Sequence, residues 1–368
     1  MNKYRAAILK APEQLVFSEL PLPELGLGEA LVRLERANIC PTDLKKYYQL
    51  DSGLANLLRT SDGLVLGHEA AGVVVALSPD VGSLSIGQHV AIDPMLPCGK
   101  CDYCRSGDFP MCKNLRGIGF SAGSLSDSLE LLDHGIGGAF AEYIKLPAQN
   151  LYPLPAGMSL EAGSLMEPLA DVLHSLEAGA PLIDETAVVF GLGAMGLMHV
   201  RVMSSWGVER IIGIDPIAER RQKALEFGAW QALDPESVDP VLALKDLTGG
   251  LGPEVLFICS GGNAQKLCTQ QALQTVRKKG RVLLYASTTK PADISVDLNQ
   301  IHYGMITLTG TVGFYRRHAQ QALELLANGG VSANQIRTPS LPLERLAEAF
   351  ALSGRPEVVK VGIDISHD

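Results

Sequence analysis

The sequence predicts an α/β protein in which a mainly β region precedes a doubly wound parallel sheet. Residues 1 to about 155 contain short apolar runs separated by glycine and proline, such as "EALVRLERANI" and "GHEAAGVVVALS", which is typical of strands. After residue 160, strand-like runs alternate with segments of helical periodicity. That alternation is typical of parallel sheets joined by crossover helices.

The order of these segments predicts two domains. The parallel sheet begins with the apolar run "TAVVFGLG" at 186–193, and the strands "RIIGID", "PEVLFICSGG" and "GRVLLYA" follow with helical segments between them. After residue 305 the pattern becomes mixed and ends in the strand "VVKVGIDI". We therefore predict a first domain over 1–158, completed by 306–368, and a second domain over 159–305.

Composition excludes several classes of function. The chain has 368 residues, of which 46% are hydrophobic, and this is ample for two buried cores. The net charge of −9 argues against binding to nucleic acid or to an anionic membrane surface. The opening residues "MNKYRAAILKAPEQ" do not form a signal peptide, and no run is long and apolar enough to span a bilayer. We expect a cytoplasmic protein without nucleic-acid or membrane partners.

A glycine-rich loop follows the first strand of the predicted parallel sheet. Gly191, Gly193 and Gly196 form the pattern G-x-G-x-x-G between an apolar strand and a helix. The first glycine allows a tight turn, the second allows close approach of a pyrophosphate, and the third allows the helix to pack on the strand. Ala194 and Met195 lie at the helix N-terminus, which faces the phosphates. The loop predicts dinucleotide binding.

Asp215 ends the second strand of this sheet, 19 residues after Gly196. A carboxylate at this point can accept both hydroxyls of an adenine ribose and would repel a 2′-phosphate. The next residues, Pro216 and Ile217, offer no basic side chain to hold such a phosphate. The sequence therefore predicts NAD rather than NADP; the alternative is a similar turn with an exposed aspartate.

Four of the seven cysteines lie in the stretch "CGKCDYCRSGDFPMC": Cys98, Cys101, Cys104 and Cys112. A short loop with this spacing can place four thiolates around a tetrahedral Zn²⁺, which leaves no open coordination position. Thiols stay reduced in the cytoplasm, so disulfides are the weaker interpretation. An iron–sulfur cluster also takes four thiolates, but nothing else in the chain indicates electron transfer. We predict a structural zinc site.

Several motifs occur in an order that resembles a known family. They are "CPTDLKKY" (40–47), "GHEAAGVV" (67–74), the cysteine loop, "GAFAEY" (138–143), "MEPLA" (166–170) and "GLGAMG" (191–196). Together they resemble the zinc-containing medium-chain alcohol dehydrogenases, and the glutamate in "MEPLA" resembles the sorbitol, polyol and threonine dehydrogenase branch. The resemblance implies a GroES-like, mainly β catalytic domain, with a Rossmann dinucleotide-binding domain inserted before its C-terminal part.

The resemblance also implies a catalytic site. Cys40, His68 and Glu167 match protein ligands of a catalytic zinc, and Glu69 matches a carboxylate beside the metal that can replace its water. Thr42 matches the hydroxyl that accepts the proton of the alcohol. Three protein ligands leave an open position for an alcohol, whose proton is then lost far more easily. With the cysteine loop, this implies two zinc ions per subunit.

Three further positions remain open. Lys45 stands where many relatives have a histidine that passes the proton outward, and it acts in a relay, binds substrate or ribose, or is simply solvated. Asp171 lies one helical turn after Glu167 and either binds a polar substrate group or caps a helix. Lys360 resembles a basic residue that reaches the cofactor pyrophosphate; a structural lysine is the alternative.

These features predict an NAD-linked zinc dehydrogenase that acts on the secondary alcohol of a polyol, sugar or cyclitol. The hydride would pass from a zinc-bound alkoxide to the nicotinamide. L-threonine or a related hydroxy amino acid and a simple alcohol are the alternatives within the class. A zinc-ribbon interaction module is the alternative outside it, and it would need a basic patch. The family resemblance implies a homo-oligomer, with a tetramer favoured over a dimer.

Overall fold

The computed structural model describes residues 3–48, 63–119, 137–288 and 292–367, and it divides the chain into two compact units. The first unit comprises Met1–Ala170 and Tyr315–Asp368, and the second comprises Asp171–Phe314. Both observed boundaries lie later in the sequence than the predicted boundaries after 158 and 305. The chain thus leaves the first unit once and returns to it, as the predicted order requires.

The later boundaries have local causes. The segment around Ser164 belongs to the first unit because its backbone carbonyl accepts a 2.9 Å hydrogen bond from the side chain of Asn38. The strand Thr307–Gly310 belongs to the second unit because it pairs in parallel with Arg281–Leu284 and so extends that sheet. The predicted boundaries are based on the spacing of hydrophobic residues along the chain. That spacing does not reveal either of these two contacts.

The first unit is mainly β. Its strands within the described residues are β1 (Lys3–Ala11), β2 (Gln14–Pro21), β3 (Glu29–Asn38), β4 (Leu64–Val65), β5 (Glu69–Leu77), β6 (His89–Ile92), β7 (Met95–Leu96), β8 (Arg116–Gly117), β9 (Tyr143–Pro147), β10 (Leu151–Pro153), β17 (Arg337–Pro342) and β18 (Lys360–Asp364). Its helices are α1 (Pro41–Tyr48), α2 (Asp102–Ser106), α3 (Leu160–Gly163), α10 (Arg316–Ala327), α11 (Ala333–Ile336) and α12 (Leu346–Ser353).

The principal sheet of this unit joins the two ends of the chain. Seven strands form it, in the order β10-β6-β5-β3-β18-β17, with β9 also paired to β3. The strand β18 is antiparallel to β3 and parallel to β17. Side chains from this sheet, from α12 and from the segment around Phe140 form one buried apolar cluster. The arrangement places residues near 40, 69 and 360 at neighbouring positions of one sheet.

The second unit has a six-stranded sheet in the order β13-β12-β11-β14-β15-β16, and every pair in it is parallel. Its strands are β11 (Thr186–Phe190), β12 (Arg210–Ile214), β13 (Gln231–Leu233), β14 (Val255–Ile258), β15 (Arg281–Leu284) and β16 (Thr307–Gly310). Its helices are α5 (Ala194–Ser205), α6 (Ala218–Glu226), α7 (Pro240–Leu247), α8 (Asn263–Thr275) and α9 (Leu298–Gly304), and the unit boundary falls inside α4 (Met166–Gly179). The predicted doubly wound parallel sheet is confirmed.

The burial of the strands explains their composition. The strands β11 and β14 read "TAVVF" and "VLFI", and every residue in both is buried, as expected for central strands of a parallel sheet covered on both faces. By contrast, β2 alternates exposed and half-buried residues at the edge of a small antiparallel sheet. Among the helices that the structure describes, none is long and apolar enough to cross a membrane.

Candidate metal centres and nucleotide loop

Three candidate catalytic residues meet where two antiparallel strands pair. The last residue of β3, Asn38, is the cross-strand partner of the first residue of β5, Glu69. Cys40 lies two residues beyond the end of β3, and His68 immediately precedes β5, so the pairing brings both to one edge of the sheet. One ligand atom from each of Cys40, His68 and Glu69 lies within 4.8 Å of the other two. His68 and Glu69 are buried and Cys40 is half-buried.

A buried carboxylate that is absent from the sequence predictions, Asp43, holds this cluster in place. Its Oδ1 lies 3.5 Å from Nδ1 of His68 and accepts a 3.1 Å hydrogen bond from the backbone N–H of Gly67. Its Oδ2 accepts a 3.0 Å bond from the backbone N–H of Cys40. The signal available in the sequence was an acidic residue in the first turn of α1, three positions after Cys40.

The electrostatics around His68 agree with a metal ligand of fixed orientation. Burial lowers the pKa of His68, but the charges of Asp43 and Cys40 outweigh burial and raise that pKa well above its ordinary value. Histidine ligands commonly give their second ring nitrogen to a carboxylate, which fixes the ring and increases its basicity. Since Nδ1 faces Asp43, Nε2 is the nitrogen directed to the cluster, where it lies 3.3 Å from Oγ1 of Thr42.

Lys360 also belongs to this cluster. Its Nζ donates a 2.7 Å hydrogen bond to Oε1 of Glu69 and a 3.4 Å bond to the carbonyl of Ile39. Both charged side chains of the pair are completely buried. Burial lowers the pKa of Lys360, but the charges of Glu69 and Cys40 outweigh it, and that pKa is raised. The predicted contact of Lys360 with the cofactor pyrophosphate stays a prediction. Within the first unit, Lys360 neutralises the buried carboxylate of Glu69.

Glu167 lies in the first turn of α4 and is only 8% exposed. Its charge contributes to the raised pKa of Lys360, after the larger contributions of burial, Glu69 and Cys40, so it acts on the same cluster. Among the described residues, however, the compact ligand group contains Cys40, His68 and Glu69 and does not include Glu167. The role of Glu167 as a zinc ligand stays a prediction.

The side chains at this site fit a zinc ion. A thiol, an imidazole and a carboxylate are the donor types that zinc accepts. The second oxygen of Glu69, Oε2, is buried and has no hydrogen-bond partner among the described residues. A buried, unpartnered carboxylate oxygen is costly. A cation in the cluster would satisfy it.

The two candidate relay residues lie at the start of α1. Thr42 and Lys45 are both exposed, and they are separated by one helical turn. Thr42 nevertheless reaches His68 through the 3.3 Å contact to Nε2. The structure therefore brings Thr42 to the cluster and leaves Lys45 on the solvent side of the helix; a relay through Lys45 stays a prediction.

The four cysteines of the loop lie together around a common centre. The Sγ atom of Cys101 is 3.5 Å from that of Cys104 and 3.9 Å from that of Cys112, and the Sγ atoms of Cys98 and Cys104 are 4.0 Å apart. Four sulfurs placed about 2.3 Å from a tetrahedral zinc would be about 3.8 Å apart. A disulfide requires about 2.05 Å between the sulfurs. The distances fit four thiolates around one metal ion.

The backbone of the loop supports the same interpretation. Cys101 precedes α2, Cys104 lies within it, and Cys112 follows the 3₁₀ helix Phe109–Met111. Hydrogen bonds from the backbone N–H groups of Lys100 and then Cys101 lower the pKa of Cys98 below its ordinary value, which favours the thiolate that binds metal. Burial raises the pKa of Cys104 to about 12, so the backbone favours the thiolate at Cys98 and not at Cys104.

The glycine-rich loop connects β11 to α5, as predicted. Gly191 has φ of +88°, and a Cβ there would lie 2.7 Å from the backbone nitrogen of Ser260. A Cβ on Gly196 would lie 1.9 Å from the carbonyl oxygen of Gly191. At Gly193 no described atom lies within 4 Å of the Cβ position, so the backbone is open to a ligand on that side. Ala194 and Met195 are the first residues of α5, where backbone N–H groups lack helical partners.

Asp215 lies at the end of β12, next to this loop. Its Oδ2 accepts a 2.8 Å hydrogen bond from the backbone N–H of Leu192, and its Oδ1 accepts a 2.9 Å bond from that of Ile217. Asp215 is 4% exposed, and so the expected alternative of an exposed carboxylate does not hold. A basic group that the sequence predictions missed, the guanidinium of Arg220, lies 3.8 Å from Oδ2. Arg220 lies in the first turn of α6, and the helix brings it to Asp215 although the two residues are not adjacent in the sequence.

Two sequence families match this chain. The family described as "Alcohol dehydrogenase GroES-like domain" matches residues 26–156, and the family described as "Zinc-binding dehydrogenase" matches residues 194–328. The first match contains the cysteine loop together with the Cys40–His68–Glu69 cluster, and the second begins at Ala194 in the glycine-rich loop. These matches confirm the predicted GroES-like domain and the predicted zinc, and they do not support a separate zinc-ribbon module.

Full-length relatives agree with these matches. L-threonine 3-dehydrogenase from Pyrococcus furiosus is 30% identical over 371 residues, which cover 98% of this chain and 99% of the relative. Sorbitol dehydrogenase from Bombyx mori is 27% identical over 375 residues, which cover 100% of both. The structure of alcohol dehydrogenase TADH from Thermus sp. ATN1 matches with a TM-score of 0.86 at 28% identity and covers 98% of this chain and 100% of that one. The chain therefore belongs to the zinc-containing medium-chain alcohol dehydrogenase family, as its ordered motifs predict.

Proposed function

We propose that the protein oxidises a secondary alcohol of a polyol, sugar or cyclitol with NAD⁺, and that it also catalyses the reverse reduction. The observation that carries this proposal is the buried charge around the Cys40–His68–Glu69 cluster, to which Glu167 and Lys360 add further ionised groups. A substrate with neighbouring hydroxyls can hydrogen-bond to such groups. A hydrocarbon substrate would offer these groups no hydrogen bond, and polar binding sites discriminate strongly against such substrates.

The metal-binding roles follow from the donor set. Cys40, His68 and Glu167 would hold the catalytic zinc, with Glu69 beside it. Zinc bound there supplies a Lewis acid that makes a hydroxyl group far more acidic. Cys40 and Glu167 offset the positive charge, and Asp43 keeps the ring of His68 in one orientation through its contact with Nδ1.

Thr42 is the group that we expect to receive the substrate proton. A hydroxyl can accept one hydrogen bond while it donates another, so it can take a proton on one side and pass one on from the other. Oγ1 of Thr42 lies 3.3 Å from His68 and the residue is exposed, which connects the cluster to solvent. Lys45, one turn further along α1, would either extend this route or bind a substrate hydroxyl.

NAD is the cofactor that Asp215 favours. Each oxygen of its carboxylate accepts one backbone hydrogen bond and retains a lone pair for a ribose hydroxyl. The negative charge opposes a 2′-phosphate, although Arg220 at 3.8 Å reduces that opposition. We therefore expect Asp215→Ser to move the preference toward NADP⁺, because Arg220 would then be released to pair with the phosphate. An unmodified enzyme that already prefers NADP⁺ would show that the carboxylate does not select the cofactor.

A substrate panel tests the proposal. The purified protein, loaded with zinc, is supplied with polyols, cyclitols, sugars, simple alcohols and L-threonine, each with NAD⁺ and with NADP⁺, and formation of the reduced cofactor is measured. We expect the highest kcat/KM with a polyhydroxylated secondary alcohol and NAD⁺. A highest value with a simple alcohol would place the protein with the simple alcohol dehydrogenases.

A second candidate is oxidation of L-threonine or a related hydroxy amino acid. It is supported by full-length relatives that are L-threonine 3-dehydrogenases, at 29% to 30% identity. The buried carboxylates of the site could face an ammonium group as well as a hydroxyl. A kcat/KM for L-threonine above that for every polyol in the panel would replace the polyol proposal by this one.

We further propose a homo-oligomer, with a tetramer favoured over a dimer. The strand β16 ends the parallel sheet and, within the part of the chain described, pairs only with β15. The flanking side chains of Tyr303, Met305 and Val312 are 73%, 68% and 60% exposed. An unpaired edge beside exposed apolar side chains is typical of a protein interface. Light scattering on the wild type and on Met305→Lys should show a smaller assembly for the variant; a monomeric wild type would contradict the proposal.

A further inference from the structure

Asn38 is completely buried, and the two ends of its side-chain amide are bonded to different segments of the first unit. Its Nδ2 donates to the carbonyl oxygen of Ser164 at 2.9 Å and to Oγ of the same residue at 3.1 Å. Its Oδ1 accepts a 3.0 Å hydrogen bond from Nε of Arg337. A buried amide with both ends bonded joins the segments that it contacts, because either end left unpaired would be costly.

The position of Asn38 makes it the neighbour of each segment that carries a candidate metal ligand. It lies two residues before Cys40 in the chain, and its cross-strand partner is Glu69, which follows His68. Its side chain holds Ser164, three residues before Glu167. The ligand residues themselves do not share a segment, so Asn38 supplies a direct connection between the sheet and the segment that leads into α4.

The Ser164 end of this connection determines where α4 begins. Ser164 is 1% exposed and forms the C-cap of α3, and its Oγ donates a 2.8 Å bond to the carbonyl of Glu161. The helix α4 starts two residues later, at Met166, and Glu167 lies in its first turn. A displacement of Ser164 would therefore displace Glu167, since little chain separates them.

The other end of the connection is fixed by Arg337, which is 8% exposed. Besides Asn38, its guanidinium donates to Oγ of Ser340 at 2.7 Å and to Oδ1 of Asp364 and the carbonyl of Ile363 at 2.8 and 3.0 Å. Because several N–H groups of this planar guanidinium donate hydrogen bonds, the guanidinium cannot rotate, and its Nε faces Asn38 in one orientation.

We propose that Asn38, held by Arg337, is a positioning residue that sets the place of Glu167 relative to Cys40 and His68. An amide suits this role because it must donate to two oxygens of Ser164 and accept from Arg337 at the same time. An aspartate would keep the acceptor for Arg337 but would place a second acceptor against the oxygens of Ser164. Ligand distances in metal sites normally agree with the standard values to within about 0.2 Å, so we expect a small shift of Glu167 to weaken the site. This inference rests on the proposed function, in which Glu167 is a ligand.

The test is the rate at which zinc leaves the holoenzyme. A chromogenic chelator separates ions that leave quickly from those that leave slowly, and Cys104→Ser identifies the ion of the cysteine loop. We expect Asn38→Asp to release the catalytic zinc about tenfold faster, at the lower end of the effect of residues behind a metal ligand. Zinc of the cysteine loop should leave at the wild-type rate. In cobalt-substituted protein, the same variant should shift the visible absorption bands of the catalytic ion.

Arg36→Gln is the matched control. Arg36 also connects β3 to α3, through a 2.6 Å contact between its Nε and Oε1 of Glu161, and its side chain is 29% exposed. Its Nε also lies 3.5 Å from Oδ1 of Asp364. Both variants weaken the link between the same two segments, and only Asn38→Asp disturbs the bonds to Ser164. We expect Arg36→Gln to release both zinc ions at wild-type rates. Equal acceleration in the two variants would overturn the proposal, because it would indicate a general loosening of the unit.

Two further variants keep the result decisive. Wild-type zinc release and cobalt bands in Asn38→Asp would overturn the positioning role. If Asn38→Asp does not fold, Asn38→Ser, which adds no charge, is measured in its place. If neither variant folds, Asn38 acts in stability alone, and that result also overturns the proposal. Glu167→Ala is measured in parallel. If Glu167→Ala keeps its zinc, the proposed ligand set is wrong; if it loses zinc while Asn38→Asp does not, only the positioning role is wrong.

Discussion

The two candidate metal centres of the first unit are built in opposite ways. The cysteine loop takes its four sulfurs from residues 98–112, and the surrounding backbone consists of one short helix, one 3₁₀ turn and the connections between them. The Cys40–His68–Glu69 cluster is assembled by strand pairing and is completed by Lys360, which follows almost 300 residues later. One centre is local and contains only sulfur, whereas the other is long-range and surrounded by buried charge.

We expect this difference to separate a site that supports the fold from the proposed catalytic site. Four sulfurs that all lie within 4.8 Å of one another can fill the coordination of one ion. The second cluster has ligand atoms of three types and an adjacent hydroxyl at Thr42, and one of its carboxylate oxygens has no hydrogen-bond partner in the described parts of the chain. Such a site has groups that can respond to a bound molecule, and a site of four thiolates does not.

Glu167→Ala should give the largest effect that distinguishes the two centres. Loss of a direct ligand should weaken catalytic zinc by more than the 10–100-fold that is typical of residues behind a ligand, and turnover should fall at least as far, by more than about 100-fold. Metal analysis should show one zinc per subunit in place of two, with the cysteine-loop ion retained. Glu167→Cys, which keeps a charged ligand, should keep the zinc and lose activity toward polyols. Full zinc and near-normal turnover in Glu167→Ala would leave Cys40, His68 and Glu69 as the ligand set.

Cys104→Ser is the reciprocal change at the cysteine loop. It should remove the other zinc and lower the melting temperature or disrupt assembly, because folding of a small metal loop is coupled to its metal. The rate of hydride transfer per folded, catalytically loaded subunit should remain near that of the wild type. A single-turnover rate that falls as far as in Glu167→Ala would contradict the separation of the two roles.

Asp43→Asn should give the next largest effect. The amide can still accept one backbone hydrogen bond, but it removes the charge that faces Nδ1 of His68 at 3.5 Å. We expect catalytic zinc to bind about 10–100-fold more weakly, which is typical when the carboxylate behind a histidine ligand is changed. Competition with a chelator measures this affinity. The cysteine-loop zinc is the internal control, and its affinity should not change.

Thr42→Val should have a smaller effect, confined to the chemical step. Valine matches the shape of threonine but cannot accept or pass a proton, so kcat should fall about tenfold while zinc content remains that of the wild type. Comparison of kcat across pH with the wild type and with Lys45→Ala shows whether Lys45 extends the route. Unchanged turnover at saturating substrate in Thr42→Val at every pH would show that protons leave by another path.

The smallest expected effect is on the pH dependence of stability, and it concerns Asp93, which precedes the cysteine loop in the sequence. Burial raises the pKa of Asp93 to about 7, while a hydrogen bond from Met95 and the charge of Arg316 oppose that rise. In the unfolded chain this carboxyl titrates near 3.9, so the folded state holds the proton more tightly between about pH 4 and pH 7. The stability that protonated Asp93 confers is therefore present below about pH 4 and is lost as pH rises to about 7.

Asp93→Asn tests this pH dependence. The amide can still accept from the N–H of Met95 and does not ionise. The measured quantity is the melting temperature of the variant minus that of the wild type. We expect this difference to be about 2–4 °C larger at pH 8 than at pH 5. Calorimetry at both pH values provides the measurement, and catalytic zinc content should be the same in both proteins. A constant difference in melting temperature would show that Asp93 is ionised in the folded state throughout.

The sequence predicts local structure well because the residues concerned are neighbours in the chain. The glycine-rich loop and the cysteine loop could both be placed on their elements from spacing alone. Cys40, His68 and Glu69 could be grouped only through a family resemblance, since strand register determines whether they meet. The contacts of Asp43 with His68, of Lys360 with Glu69 and of Arg220 with Asp215 depend on side-chain direction within the fold. Periodicity carries no such information, and these contacts were not predicted.

The place of β18 in the first sheet has a consequence for how the protein is made. Because β18 lies between β3 and β17, the partner of residues 36–38 emerges from the ribosome only after the whole second unit has been synthesised. The second unit is continuous in the chain and its strands pair locally, so it can fold while translation continues. The proposed catalytic cluster, whose Glu69 pairs with Lys360, can be completed only at the end of translation. Until then residues 36–38 of β3 are an open template for wrong pairing, and a chaperone that covers them should increase the yield of active enzyme more than the yield of folded second unit.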